Sequence, residues 1–290
     1  MGKPLALTRP WAWARPSRSV FTLYLPVAPF VFFALFPLYF MLVTSLKKNA
    51  ELYNVNATPF FIRQGLTLGH YELLSKDTLF WSWFANSLLV SVAATVISVV
   101  IGILAAYPLA RLRFPGADSF GVAIFITYLV PPSLLFLPLS TVVNRLGLSD
   151  TLWALIVTYP TFLVPFCTWL LMGYFRTVPK EIEECAMLDG CNRFQTLLRI
   201  LLPVAVPGVI CAALFAFTLS WNEFLYSLVF VSPAELKTMT VGVFSELIRG
   251  DIYYWGGLMA GACIGSLPIV IAYVFFLDYY VSGLTAGAVK

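Results

Sequence analysis

Six long runs of apolar residues constrain the fold of this chain more than any other feature of its sequence. Five of the runs contain no Asp, Glu, Lys or Arg, and the sixth contains only Glu223. A helix needs about 20 apolar residues to cross the hydrocarbon core of a bilayer, and each run is long enough. We therefore predict an all-α polytopic membrane protein with a single domain over residues 1–290. Its predicted transmembrane helices cover about residues 19–46, 78–110, 119–144, 151–175, 200–231 and 252–277.

The positively charged residues predict how these spans are oriented. Six spans place both termini on the same side of the membrane. If the N-terminus is inside, eleven of the 18 Lys and Arg residues lie in inner segments and seven in outer segments. Because cytoplasmic loops are enriched in Lys and Arg, we predict that both termini are cytoplasmic. Residues 1–18 are then a cytoplasmic arm rather than a signal peptide, since the uncharged run that follows far exceeds a signal peptide's apolar region.

The composition and the scattered polar residues argue against several classes of protein. Hydrophobic residues make up 60% of the chain and charged residues 11%, whereas soluble domains are about 25% charged. The basic residues are not clustered, so no nucleic-acid partner is expected. The five cysteines have no CxxC spacing and His70 is the only histidine, so we expect no metal site. We also expect no catalytic residues and no P-loop ATP site in this chain.

A charged segment at residues 181–207 interrupts the apolar pattern between the fourth and fifth spans. It carries four acids and two arginines, which are Glu181, Glu183, Glu184, Asp189, Arg193 and Arg199. A charged segment between two membrane spans has to lie at the membrane surface and face water, headgroups or a partner. The predicted orientation places it in a cytoplasmic loop at residues 176–199.

Residues with strong end preferences predict two short helices in this loop. Pro179 suits a first helical turn because its missing N–H would be unpaired there, and the acids that follow suit the helix dipole. Gly190 suits a left-handed C-cap, and Asn192 suits the N-cap of a second helix. We therefore predict helices over about residues 179–189 and 192–202.

The two helices are predicted to have different partners. The first has a small, mixed face that suits insertion into a partner's groove and consists of Ile182, Cys185, Ala186 and Asp189. The second has an apolar face that is expected to pack on the membrane helices and consists of Phe194, Leu197, Leu198 and Leu201. The residues alone leave open an interfacial amphipathic helix that has no protein partner.

The charged segment resembles the EAA loop, the cytoplasmic signature of ABC-importer permeases. That signature reads Glu-Ala-Ala-x-x-x-Gly and is followed by Ile-x-Leu-Pro. The resemblance implies that a coupling helix here contacts an ATPase through Glu184, Cys185, Ala186, Asp189, Gly190 and Pro203. Cys185 replaces an Ala of the signature, a change small enough to keep the helix packing. The Asp189-Gly190 pair and Pro207 are similar to the carbohydrate-importer branch of the family.

The resemblance extends over nearly the whole chain. Residues 86–88 (Asn-Ser-Leu), 220–223 (Ser-Trp-Asn-Glu) and 283–287 (Gly-Leu-Thr-Ala-Gly) are similar to MalG-like permeases of the maltose-importer type. The resemblance implies a type I ABC importer permease fold in a bacterial plasma (inner) membrane. The implied partners are a second homologous permease subunit, two ATPase subunits that bind ATP and Mg, an extracytoplasmic solute-binding protein, and membrane lipid. No cofactor is expected in this chain.

Glu223 is the one acid inside a predicted span, and an intramembrane ionisable group is a functional hypothesis by default. Together with Trp221 and Asn222, it is predicted to line the transport pathway. Hydrogen bonds and ring stacking would bind sugar hydroxyls and sugar rings there. The alternative is that Glu223 is solvated near the outer mouth or serves packing between subunits.

We predict the permease subunit of an ATP-driven ABC importer for a mono- or oligosaccharide or a related solute. The chain would form half of the translocation pathway and dock an ATPase, without being an enzyme itself. The alternatives are a stand-alone secondary transporter, an importer permease for a non-sugar solute, and a membrane-embedded enzyme. A secondary transporter is expected to have inverted repeats and more intramembrane charge, and neither is visible in the sequence.

Overall fold

The structure is a computed structural model that describes residues 24–112 and 114–285. These residues are mostly helical, as the sequence predicts. The predicted cytoplasmic arm at residues 1–18, the first residues of the first predicted span and the end of the C-terminal tail lie outside the described part.

Fifteen α-helices follow one another in the described residues. They are α1 (Leu25–Ser45), α2 (Asn49–Leu52), α3 (Gly69–Asp77), α4 (Phe80–Arg111), α5 (Ala117–Tyr128), α6 (Pro132–Arg145), α7 (Leu152–Thr158), α8 (Pro160–Thr177), α9 (Glu181–Leu188), α10 (Arg193–Thr196), α11 (Leu202–Val204), α12 (Val206–Trp221), α13 (Leu225–Phe230), α14 (Met239–Leu247) and α15 (Trp255–Thr285). A π-helical turn at Leu197–Leu201 joins α10 to α11, and a 3₁₀ turn at Ala234–Leu236 precedes α14. Two short strands, β1 (Ile248–Arg249) and β2 (Ile252–Tyr253), form an antiparallel hairpin before α15.

Four helical segments of the described residues are long and apolar enough to cross a membrane. They are Leu25–Ser45, Phe80–Arg111, Leu152–Thr177 and Trp255–Val281, and the third combines α7 with α8. Two further segments meet the same criteria only as bent pairs of helices. If each bent pair counts as one span, the described residues contain up to six, so the predicted number is the upper limit.

Both bent pairs break at or next to prolines. Helices α5 and α6 meet at 90°, and Pro131 and Pro132 lie at their junction. The segment Arg193–Val204 meets α12 at 81°, and a proline lies in the first turn of α12. Proline removes a hydrogen bond from the helix and crowds the preceding turn. The predicted spans at residues 119–144 and 200–231 are therefore bent in the structure.

The core of the chain lies where α4, α8 and α12 pack against one another. Of the four spans, Leu152–Thr177 has the largest buried share, whereas α1 and α15 bury the least and lie at the rim. The close approach of α4 and α8 requires a glycine, because a Cβ at Gly102 would lie 2.9 Å from the Cβ of Cys167. Small residues permit such contacts in membrane proteins, where packing rather than expulsion from water holds helices together.

A stripe of glycines along α15 packs against α14, so this small-residue contact is internal to the chain. The facing pairs are Gly257 with Leu247, Gly261 with Val243, and Gly265 with Met239. Each glycine lets the side chain of α14 lie directly against the backbone of α15.

Residues 47–68, here called the outer cap, cover the end of the bundle that the sequence predicts to be extracytoplasmic. The ammonium of Lys47 is buried and donates hydrogen bonds of 2.7 and 3.0 Å to two backbone carbonyls of the cap. The buried carboxylate of Glu51 accepts hydrogen bonds from the backbone N–H groups of Arg63 and Gln64. It also lies 3.5 Å from the Lys47 ammonium. This long connection is therefore a folded unit held by buried polar contacts.

Candidate functional site

The first helix of the cytoplasmic loop, α9, has the ends that its sequence predicts. Three acids lie in its first turn, where the helix dipole favours negative charge. At its C-terminal end, Gly190 has a φ of +91°, and the N–H of Cys191 donates to the carbonyl of Ala186 at 3.0 Å. The left-handed C-cap at Gly190 is thus confirmed. The helix covers Glu181–Leu188, slightly less than the predicted 179–189.

The second helix of the loop begins with a reciprocal capping box. The Gln195 N–H donates to Oδ1 of Asn192, and the Asn192 N–H donates to Oε1 of Gln195, both at 2.9 Å. The predicted N-cap at Asn192 is therefore confirmed. After one α-helical turn the helix widens into the π-helical turn Leu197–Leu201, just before Pro203. Such π-turns inside helices are often found at functional sites.

The exposed face of α9 differs from the prediction at one position. Ile182, Cys185 and Asp189 are exposed as predicted, but Ala186 is buried, with 7% of its surface exposed. The prediction was wrong for Ala186 because this residue lies one turn after Glu183, on the side of α9 that packs against α10 and the π-turn. Its small side chain lets the two parts of the loop approach each other.

The predicted apolar face of the second helix is only half buried. Leu197 and Leu201 are buried, as predicted, whereas Phe194 and Leu198 are 59% and 47% exposed. The prediction was wrong for Phe194 and Leu198 because it assumed a regular α-helix. The wider π-turn changes which side chains share a face, and only those of the two buried leucines meet the core.

Five exposed residues, four in α9 and one directly after it, form what we call the coupling surface. It consists of Ile182, Glu184, Cys185, Leu188 and Asp189. Leu188 is the most exposed apolar residue of this surface, at 88%. Leu188 was not singled out from the sequence. Its position as an apolar residue just before a predicted C-cap is a signal that could have identified it. A leucine that projects among acids suits contact with another protein.

A buried ion pair connects α9 to the end of a membrane-spanning helix. The Nε of Arg111, the last residue of α4, lies 2.6 Å from Oε1 of Glu183 in the first turn of α9. Sequence reasoning missed this pair because the two residues are far apart in the chain and no local pattern links them. The pair places the coupling surface relative to the helix bundle.

Glu223 lies in a break between α12 and α13, where its carboxylate is held by three donors. The Tyr159 hydroxyl donates to it at 2.8 Å, and the backbone N–H groups of Tyr226 and Ser227 donate at 2.8 and 3.2 Å. The two backbone donors belong to the first turn of α13, where N–H groups lack partners within the helix. Glu223 therefore caps α13 and connects it to the junction of α7 and α8.

The neighbours of Glu223 differ sharply in exposure. The indole of Trp221 is buried between the rings of Phe84 and Phe217, and its N–H donates to the carbonyl of Gly265 at 3.0 Å. Asn222 is exposed. Of the three predicted pathway residues, Asn222 is thus the one that presents its side chain at the surface. The described residues contain no group of three or more His, Cys, Asp or Glu placed to hold a metal ion.

Comparison with known proteins matches most of the chain to transport proteins. A family model described as "Binding-protein-dependent transport system inner membrane component" matches residues 98–285. The inner membrane ABC transporter permease protein YcjP of Escherichia coli is 39% identical over 269 residues, which cover 92% of this chain and 95% of that protein. The diacetylchitobiose uptake system permease protein DasC of Streptomyces coelicolor is 34% identical, with 88% of this chain and 91% of DasC covered.

The fold also matches a solved structure. A chain of a bacterial ABC transporter involved in the import of the acidic polysaccharide alginate superimposes with a TM-score of 0.73 at 21% identity. The match covers 91% of this chain and 98% of that chain. Both the family model and the relatives cover the helices that hold the coupling surface. The chain therefore belongs to the family of inner membrane components of binding-protein-dependent transport systems.

Proposed function

We propose that this chain is the permease subunit of an ATP-driven ABC importer for carbohydrate in a bacterial inner membrane. It spans the membrane six times if each bent pair of helices is one span, with both termini in the cytoplasm. The excess of Lys and Arg in the inner segments supports this orientation. The similarity to a diacetylchitobiose uptake permease supports carbohydrate as the solute.

The coupling surface is the observation that carries this proposal. A helix as short as α9 has little stability of its own, yet it is capped at its C-terminal end and tied to α4 by the Arg111–Glu183 pair. It presents Leu188 and Ile182 to the outside among acidic side chains. A well-anchored helix with exposed apolar residues is suited to enter a groove on a partner. We assign this groove to an ATPase subunit.

The residues of the EAA resemblance divide into two groups in this proposal. Glu184, Cys185 and Asp189 belong to the coupling surface and would contact the ATPase directly. Ala186 packs inward and Gly190 ends the helix, so both would hold the surface in shape. Pro203, the last residue of the resemblance, follows the π-turn.

The proposed mechanism separates the chemistry from the transport step. Two ATPase subunits bind and hydrolyse ATP with Mg, and this chain holds no cofactor. Their opening and closing would move α9 and rock the helix bundle against that of a second homologous permease subunit. The cavity between the two permeases would then alternate between outward-facing and inward-facing states. A solute-binding protein would deliver the carbohydrate from outside, and Asn222 is the best-placed of the predicted residues to meet it.

Leu188→Asp, with Leu146→Asp as its matched control, tests this assignment. Both leucines are strongly exposed, so neither change should unfold the chain, but Leu146 ends α6 on the predicted outer side. The tagged chain is purified in mild detergent and the ATP hydrolysis of the preparation is measured. We expect an ATPase to accompany the wild type and Leu146→Asp but not Leu188→Asp, whereas a second permease should accompany all three.

Two outcomes would contradict the proposal. If the wild type is isolated without ATPase activity under conditions that preserve known importers, the chain works alone and a secondary transporter becomes the better description. If Leu188→Asp retains the ATPase, the docking site lies elsewhere. The solute is then identified by screening saccharides and polyols against the binding protein that completes the importer.

A further inference from the structure

We propose that Arg111 and Glu183 are positioning residues that transmit movement of α9 to the end of α4. This inference rests on the proposed docking of an ATPase at the coupling surface. The pair would make α4, rather than the segments before and after α9, the first part of the bundle to respond.

The guanidinium of Arg111 contacts both α9 and the residues that precede it. Arg111 is the last residue of α4, and its Nε lies 2.6 Å from Oε1 of Glu183. Its Nη2 donates a 2.9 Å hydrogen bond to the carbonyl of Val178, which lies just before α9. Arg111 therefore holds both the first turn of α9 and the segment that connects α9 to α8.

The pair is buried although it lies next to the predicted cytoplasmic surface. The side chains of Arg111 and Glu183 are only 3% and 8% exposed. A buried charge that loses its partner is strongly unfavourable, because water no longer solvates it. The two helices thus cannot separate unless both charges either become exposed to water or stay buried without a partner. Such a pair resists pulling apart far more than a pair in water does.

The guanidinium also has spare donors with which to follow a moving carboxylate. Nη1 of Arg111 has no hydrogen-bond partner in the described part of the chain, and the Nε contact with Glu183 is an ion pair without hydrogen-bond alignment. An arginine carries five N–H donors in a fixed fork. A shift of α9 can therefore exchange one donor for another while the ionic contact persists.

Space for such a shift exists beside the pair. A cavity of about 510 Å³ borders Arg111 and Glu183, and its other lining residues include Lys180, Glu184 and Arg193. The additional charges on its walls keep the cavity polar, so displaced side chains would find partners there.

Helix α4 is a suitable receiver of the movement. It runs from Phe80 to Arg111, about 48 Å at 1.5 Å per residue, and packs against both α8 and α12 in the core. Pro108 removes one hydrogen bond of the helix close to Arg111. The last turn of α4 can therefore tilt with α9 before the rest of the helix follows.

A second ion pair at the same end of the bundle provides a matched control. Arg176 of α8 lies 2.6 Å from Asp118 of α5, so the separation equals that of the buried pair. Its side chains, however, are 44% and 87% exposed. Water can replace either partner, so this pair should contribute little to holding two helices together.

The test measures coupling in the purified complex with its ATPase. The coupling ratio is the ATP turnover with binding protein and solute divided by the turnover without them. We expect Glu183→Gln and Arg111→Gln to lower this ratio at least about fivefold, the low end of typical allosteric coupling. The double variant should lose no more than the worse single variant, because both changes remove the same link. Asp118→Asn should leave the ratio unchanged.

A distance measurement gives a readout that a purely structural role would not change. Spin labels at Glu181 of α9 and Leu104 of α4, both exposed and both outside the coupling surface, report the distance between the helices in a variant without native cysteines. The proposal predicts that nucleotide changes the distance between the two labels less in the wild type than in Glu183→Gln. In that variant, α9 moves without α4. Equal nucleotide-dependent changes in the two proteins would overturn the proposal.

The remaining outcomes also decide the question. Normal coupling by Glu183→Gln in an assembled complex would overturn the proposal while leaving ATPase docking intact. If the single variants fail to assemble, the exchanged pair Arg111→Glu with Glu183→Arg should restore assembly and coupling, and failure to restore either overturns the proposal. Absence of any ATPase from the wild type would instead refute the proposed function itself.

Discussion

The hydroxyl of Tyr159 donates a 2.8 Å hydrogen bond to the carboxylate of Glu223, 64 positions later in the chain. Tyr159 is fully buried at the junction of α7 and α8, and Glu223 lies at the break between α12 and α13. The contact thus ties together two places where membrane helices are interrupted. Broken helices are tolerated in a membrane only where neighbouring groups satisfy the backbone, and Glu223 does so for the start of α13.

Replacement of Glu223 by alanine should destabilise the chain. It would leave the hydroxyl of Tyr159 and the N–H groups of Tyr226 and Ser227 without their acceptor, at a cost of about 1–3 kcal/mol for each buried group that stays unpaired. We expect a lower midpoint of thermal unfolding in detergent. Asn222→Ala, at the exposed neighbour, should leave the midpoint unchanged. A wild-type midpoint for Glu223→Ala would contradict the capping role.

Replacement of Gly190 by alanine should weaken ATPase docking, while the same change at Gly147 should not. Both glycines have positive φ, +91° and +66°, and a Cβ on either would meet no atom within 4 Å. Each change therefore costs only backbone strain, about 1–2 kcal/mol. Gly147 lies at the opposite, predicted outer end of the bundle, so it controls for this strain. Equal losses of co-purified ATPase from the two variants would show that stability, and not the shape of α9, is responsible.

The outer cap should loosen in acid because of Glu51. The N–H of Gln64 lowers the pKa of the Glu51 carboxyl most, burial opposes this, and the N–H of Arg63 and the Lys47 ammonium lower it further. Because the pKa of Glu51 is lower in the folded cap, its stabilising contribution is complete above the ordinary value of 4.5 and is lost as the pH falls through the folded value. We expect the hydrogen-exchange protection of the cap amides, measured relative to their intrinsic exchange rates, to fall over that range.

Substitution of Glu51 is compared with substitution of a second acid, which lies outside the outer cap and serves as the control. Glu51→Gln should lower the hydrogen-exchange protection of the cap at neutral pH and remove most of the acid dependence of that protection. Glu72→Gln, at an exposed position of α3, should leave the profile of the wild type unchanged. Retention of the wild-type acid dependence by Glu51→Gln would assign the effect to another group.

Alanine at Gly242 should be more damaging than alanine at Gly265. A Cβ at Gly242 would collide with the indole of Trp83, which is buried and whose N–H donates a 2.7 Å hydrogen bond to a backbone carbonyl. A Cβ at Gly265 would collide with the end of Met239, a flexible side chain that can move aside. Overpacking of a rigid site costs about 1–3 kcal/mol. The thermal midpoints of the two variants compare these costs, and equal midpoints would refute the argument.

Local signals in the sequence determined the ends of the cytoplasmic helices. A glycine after an acidic helical stretch predicts a left-handed C-cap, and an asparagine at the start of the next helix predicts an N-cap, because both preferences involve neighbouring residues only. Gly190 and Asn192 fulfil these predictions. The long uncharged runs likewise predict membrane helices from length and composition alone.

Only the tertiary structure decided which faces meet and which distant charges pair. A membrane helix is apolar all round, so its sequence carries no polar stripe that distinguishes a packed face from a lipid-facing one. Ala186 was placed on the exposed face of α9 because its packing against α10 and the π-turn is a tertiary contact, and Phe194 was placed on a buried face because a regular α-helix was assumed where the structure has a π-turn. The contacts between Arg111 and Glu183, and between Tyr159 and Glu223, join residues far apart in the chain. Their pairing follows from how the helices pack, which no local pattern encodes.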